Sequence, residues 1–184
     1  MAEYYLVSQL PSLDGISENT PMPITEERFL ELCDRFLGEK TRNEMRKLTL
    51  VPPILPEKTG SKLIDAFNEG ERNLRLALGK ARAEKMKKSF DTGNAFFSVE
   101  LTRAVSTAVE SESPMEAEKL LFDYRLSFLE TLRPMDTFSE DYVFYYGLKL
   151  KLILRIRRFE TELGEAAYRN IYNSVLNGDR LEAM

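Results

Sequence analysis

The order of apolar and polar positions predicts a chain made mostly of helices. Residues 3–10, "EYYLVSQL", alternate and carry aromatics and Val, which predicts a short strand or extended arm. Pro11, Asp14-Gly15, Pro21 and Pro23 then break the backbone. A helix is expected from Thr25, with Glu26 and Glu27 favourable in its first turn. Phe29, Leu32, Cys33, Phe36 and Leu37 follow at i, i+3, i+4, i+7 and i+8, one apolar stripe that Gly38 is placed to close in the left-handed conformation. Thr41 to Glu44 reads as a capping box for a short helix reaching about Thr49. "VPPILPEKTG" cannot continue it and marks the best internal boundary.

Beyond that boundary the helical period strengthens. From Ser61, the residues Leu63, Phe67, Gly70, Leu74, Ala77 and Ala81 step by 4, 3, 4, 3 and 4, a heptad seam whose small members allow another helix to come close. "SFDTGN" interrupts, and a helix over about 95–110 carries Phe97, Leu101, Ala104, Val105 and Ala108 on one face. "SPME" at 113–116 places Ser at the cap, Pro at the first helical position and Glu three residues on. That helix turns Leu121, Tyr124, Phe128 and Leu132 inward and ends at Arg133-Pro134. The last helix opens at Ser139. Its stripe of Tyr145, Leu148, Leu152, Ile156, Phe159, Leu163 and Ala166 is joined on the reverse side by Tyr142, Tyr146, Leu150 and Leu154. A helix apolar on two sides is expected to be central; Gly164 is a candidate kink and Gly178 a natural stop. The expected fold is therefore all-α: helical bundles of long packed helices with the short N-terminal strand or arm. Residues 1–184 are expected to form one helical domain, with a possible division into 1–50 and 61–184.

Composition removes more chemistry than it adds. The 184 residues are 43% hydrophobic and 30% charged, ordinary for a globular chain. There is no histidine and a single cysteine, so Ser-His and Cys-His dyads and structural zinc sites are excluded. Cys33 sits in an apolar stripe and reads as core filling. No Gly-rich phosphate loop occurs. Neither an enzyme, a metal site nor a cofactor is expected. The start, "MAEYYLVSQLPSLDG", lacks the basic region of a signal peptide, and "YVFYYGLKLKLIL" is too short and too charged to span a membrane, so a cytoplasmic location is expected.

The net charge of −4 and pI near 5.2 argue against nucleic acid as a general partner. Against that background, residues 71–88, "ERNLRLALGKARAEKMKK", carry seven basic and two acidic residues. Arg72, Lys80 and Lys87 lie away from the seam, which puts most of the basic charge on exposed surface. A solvated face suits this charge, with aliphatic stems covering the flanks. An acidic protein partner is the functional alternative and nucleic acid the third.

The same stretch carries a resemblance. With Glu71, Asn73, Leu74, Arg75, Gly79 and Lys80 in place, it resembles the Asn-Leu-Arg and Gly-Lys helix signature of the C-type (also called d-type) stalk subunits of rotary V-type and A-type ATPases. "YYLVSQLPSL" and "ITEERFLELCDRFL" are similar to a bacterial family of uncharacterised proteins encoded alongside V-type ATPase subunits, and residues 145–172 resemble the long helices of the same fold. The resemblance implies an all-helical, non-catalytic part of a rotary motor. Its partners would be the rotor shaft and the proteolipid ring, and it would sit on the cytoplasmic face of the membrane through those partners alone. Arg72, Arg75 and Lys80 are the candidate partner-interface residues, although Arg75 and Lys80 also stand within reach of carboxylates of the chain itself. The family's usual member holds three bundles in about twice this length, so at most two fit here. A free-standing helical adaptor between proteins is the alternative.

Overall fold

The structure, a computed structural model, describes residues 2–16, 20–93 and 95–159 together with 169 and 172. Among these, seven helices and no strand are found: α1 (Ala2–Val7), α2 (Glu26–Phe36), α3 (Glu39–Lys47), α4 (Lys62–Lys85), α5 (Val99–Glu110), α6 (Pro114–Thr131) and α7 (Glu140–Arg157). The fold is all-α, and five of its helices start where a hydroxyl dictates. Thr25, Ser61, Ser98, Ser113 and Ser139 each accept a hydrogen bond from the backbone N–H three residues on, satisfying one donor that the first helical turn leaves unpaired.

Three local expectations are corrected. The N-terminal strand is instead helix α1: Leu6 is fully buried while Tyr4 and Tyr5 stay exposed. With no strand edge to pair with among the described residues, the segment satisfies its backbone within itself. Gly38 is not left-handed; it is extended and stands at the start of α3, and α2 ends at Phe36 with Leu37 as its extended cap. Thr41 lies inside α3 rather than at its cap. Its hydroxyl is buried and donates to Glu140 Oε1 at 2.7 Å, tying α3 to the first turn of α7. The far end of α4 closes without a glycine. Lys87 takes a left-handed φ of 56° and the Lys88 N–H reaches back to the Ala83 carbonyl at 2.8 Å.

Apolar side chains gather in two clusters. The larger one surrounds α7, whose residues Val143 to Leu150 are buried on every side, as expected of a central helix. Phe29 from α2, Met45 from α3, Phe67 from α4 and Leu129 from α6 close on it. Gly147 makes this possible, since a Cβ there would stand 3.1–3.2 Å from Leu48, Met45 and Phe29 together. The second cluster joins Leu74, Ala77 and Leu78 of α4 to Leu101, Val105 and Ala108 of α5 and Leu121 of α6. Helix α4 thus runs through both clusters, with its first half in one and its second half in the other. Where they meet, Gly70 admits the Phe128 ring of α6 to a place that a Cβ would occupy. Such an arrangement follows from the seam: one continuous apolar stripe on a 24-residue helix serves two sets of neighbours.

The expected continuation of the last helix through Leu163 and Ala166, with Gly164 and Gly178, lies outside the described residues. No helix among the described residues is long and apolar enough to cross a membrane.

Candidate functional site

Two polar constellations stand out, and both are built on the helices that carry the core. The first lies on α4. Glu71 is buried at 3% exposure and accepts from Arg125 of α6 through both carboxylate oxygens, at 2.9 and 3.2 Å. Arg75, one turn further along α4, donates to the same carboxylate at 3.1 Å. One carboxylate therefore faces two guanidinium groups, and the bidentate geometry with Arg125 locks the two helices in register.

The three residues expected at a partner interface are placed differently from one another. Arg75 is half-exposed and held by Glu71. Lys80 is exposed and stands 4.0 Å from Glu84 on its own helix. Five residues separate it from Arg75, which at about 100° per residue turns it to another side of α4. The Nη1 of Arg72 is shut off from solvent and has no hydrogen-bond partner among the described residues. The three do not converge on one surface. Leu74 and Ala77 pack in the core as their seam positions imply.

The second constellation centres on Lys149, in the middle of α7 and only 6% exposed. Its ammonium donates to Asp14 at 2.5 Å and to Glu130 at 2.6 Å, and Tyr145 donates its phenol to the same Glu130 oxygen at 2.7 Å. Burial would push the Lys149 pKa down, but these hydrogen bonds outweigh it and hold the ammonium above its ordinary 10.5. The bond from Lys149 keeps Asp14 below its ordinary 3.8. Burial acts against the charged form of Glu130, yet Lys149 and Tyr145 together keep it below 4.5. For Tyr145, burial and donation to Glu130 push the phenol up to about 12. Every member of the cluster is thus fixed in one charge state at neutral pH, the reverse of what a proton-transfer group requires.

Around Lys149, α7 grips the segment between α1 and α2. Tyr146 donates to the Pro11 carbonyl at 2.9 Å, Lys151 pairs with Glu26, and Arg157 donates to the Thr20 carbonyl. A cavity of about 380 Å³ opens beside Asp14 and Lys149 against Phe122 and Ile153, and a smaller one of about 240 Å³ lies on the other side near Arg133 and Tyr142. Cys33 is buried in the first cluster, and that burial, with the Asp34 carboxylate beside it, pushes its thiol up to about 12. Among the described residues no three of Cys, Asp and Glu gather as metal ligands would.

Sequence reading missed both constellations, though each left a trace. Arg125 falls four residues from Leu121 and four from Leu129, a charge inside an inward stripe. Lys149 is the one charged residue in the buried run Val143 to Leu150 of α7. Compared with the models of known families, with curated proteins and with solved structures, the chain matches none.

Proposed function

We propose that this chain is a non-catalytic subunit or accessory protein of a V-type or A-type rotary ATPase, seating the central shaft on the membrane ring from the cytoplasmic side. The observation that carries the reading is the position of the signature. Glu71, Asn73, Leu74, Arg75, Gly79 and Lys80 lie on α4, which like α6 contributes to both apolar clusters, and Glu71 clasps α6 through Arg125. A coupler must pass force from one end to the other without yielding. A long helix packed at both halves and clamped between them suits that task. Attachment to the membrane would come through partner proteins of the motor, with no lipid insertion by this chain.

A free-standing helical adaptor is the second reading. It is favoured by the internal use of the basic residues, since Arg75 is held by Glu71 and Lys80 stands near Glu84. The same pairing, with the net charge of −4, weighs against nucleic acid as the partner of residues 71–88.

Tagged protein incubated with native membranes at low and at moderate salt separates the two readings. The motor assignment expects recovery of shaft or ring subunits, with weaker recovery as salt rises if charges at the rim contribute. Recovery of unrelated soluble proteins in place of motor subunits would remove that assignment and leave the adaptor.

A further inference from the structure

The cavity of about 380 Å³ beside Lys149 lies between α6, α7 and the segment that joins α1 to α2. Phe122 and Leu126 on α6 form one wall, and Ile153 and Ile156 on α7 form the facing one. Leu13 and Ile16 cover it from the joining segment. The Asp14–Lys149 pair stands at one end and is shared with the smaller cavity beyond it. Arg157, further along α7, stands at the other end, and Lys119 and Asp123 complete the polar lining. Among the described residues three cations and two carboxylates therefore meet there, an excess of positive charge. From Lys149 to Ile156 the α7 wall runs about 10 Å at 1.5 Å rise per residue, the reach of an extended chain of about eight carbons.

The Lys149 end selects the occupant. Its buried ammonium is answered by two carboxylates of unequal standing. Glu130 is carried by α6, and Tyr145 donates to the same oxygen that Lys149 uses. Asp14 belongs to a turn and its side chain is mostly exposed, so water receives its carboxylate at little cost when it lets go. Leu13 is buried and Ile16 packs against the larger cluster, so release needs only the Asp14 side chain to rotate. Lys149 has no such freedom, since it sits in the core and leaving its partners would strand a buried charge. The pair can therefore exchange its carboxylate and cannot exchange its ammonium. We propose that this cavity binds an aliphatic monocarboxylate of about eight carbons, its carboxylate replacing that of Asp14 on Lys149 and its tail lying between the α6 and α7 walls. Asp14 is then the chain's own stand-in for the ligand's head group. The rotary-ATPase reading and this site do not depend on each other, so failure of either leaves the other standing.

The test is isothermal titration calorimetry on the full chain. The probe is sodium octanoate, beside octanamide and octylammonium, which keep the tail and change the head. Saturable binding of octanoate at a single site is expected, at least about tenfold tighter than either of the other two. Hexanoate, two methylenes shorter, is expected to bind at least about threefold more weakly, because less tail is buried. Leu126→Trp, which fills the cavity, is expected to abolish octanoate binding. Because that variant can disturb packing, Asp14→Asn serves as the second, at an exposed position. It removes the competing carboxylate and is expected to tighten octanoate at least about fivefold, a gain that a merely structural role for Asp14 would not give. No saturable binding of octanoate, equal affinity for octanoate and octanamide, or a preference for octylammonium would overturn the proposal. So would an Asp14→Asn chain that binds octanoate no better than the unaltered one.

Discussion

Glu71→Ala is expected to lose about 3–5 kcal/mol of stability, a large share of what a domain of this size holds. The substitution leaves Arg125 buried at 8% exposure without its counter-charge and frees Arg75 from its partner. Stranding a buried charge is what makes the loss large, since the attraction within such a pair is mostly offset by the cost of desolvating both groups. The companion variant decides between the two causes. Replacing the pair together, Glu71→Leu with Arg125→Met, is expected to restore most of the loss, because no charge is left buried. Urea unfolding followed by circular dichroism reads both, the midpoint falling and the slope holding. A Glu71→Ala protein within about 1 kcal/mol of the unaltered chain would mean that the clasp between α4 and α6 contributes little.

Lys149→Met is expected to cost less, about 2–3 kcal/mol, because its partners reach water. The Asp14 side chain is 61% exposed and that of Glu130 36%, so both can be solvated once the ammonium is gone. The distinguishing feature is pH. Asp14 and Glu130 have folded pKa values below their ordinary 3.8 and 4.5, so their contribution is present above those values and is lost as pH falls through the folded ones. Lys149 is raised above 10.5, so its contribution is complete below that value and disappears as pH rises through the folded one. The stability gap between the unaltered chain and Lys149→Met should therefore be widest at about pH 5–10 and shrink on both sides. A gap independent of pH would show that Lys149 acts through its aliphatic stem alone. Limited proteolysis near residues 10–16 should quicken in the same variant, since Lys149 is one of the ties that hold this segment to α7.

What was legible in the sequence is what depends on near neighbours. Ser61, Ser113 and Ser139 announced three helices because a cap bonds to an N–H three residues away, and the chemistry is complete within one turn. The seam on α4 was legible for the same reason. "EYYLV" was misread because five residues of mixed aromatic and aliphatic character fit a strand or a helix equally well, and the decision rests on the absence, among the described residues, of a strand to pair with. Gly38 was misread because an adjoining helix claimed it as a start. Contacts such as Glu71 with Arg125, 54 residues apart, have no local period at all. Their only trace is a charge at an inward position, which periodicity alone assigns to no partner.

The proposed coupling of a rotor shaft to a membrane ring can be measured directly. Inverted membrane vesicles prepared without the chain should still hydrolyse ATP, because the proposed role contains no catalytic step. ATP-driven ion uptake by those vesicles should be lost, and adding back the purified protein should restore it. Ion uptake that is unchanged in the absence of the chain would contradict the account.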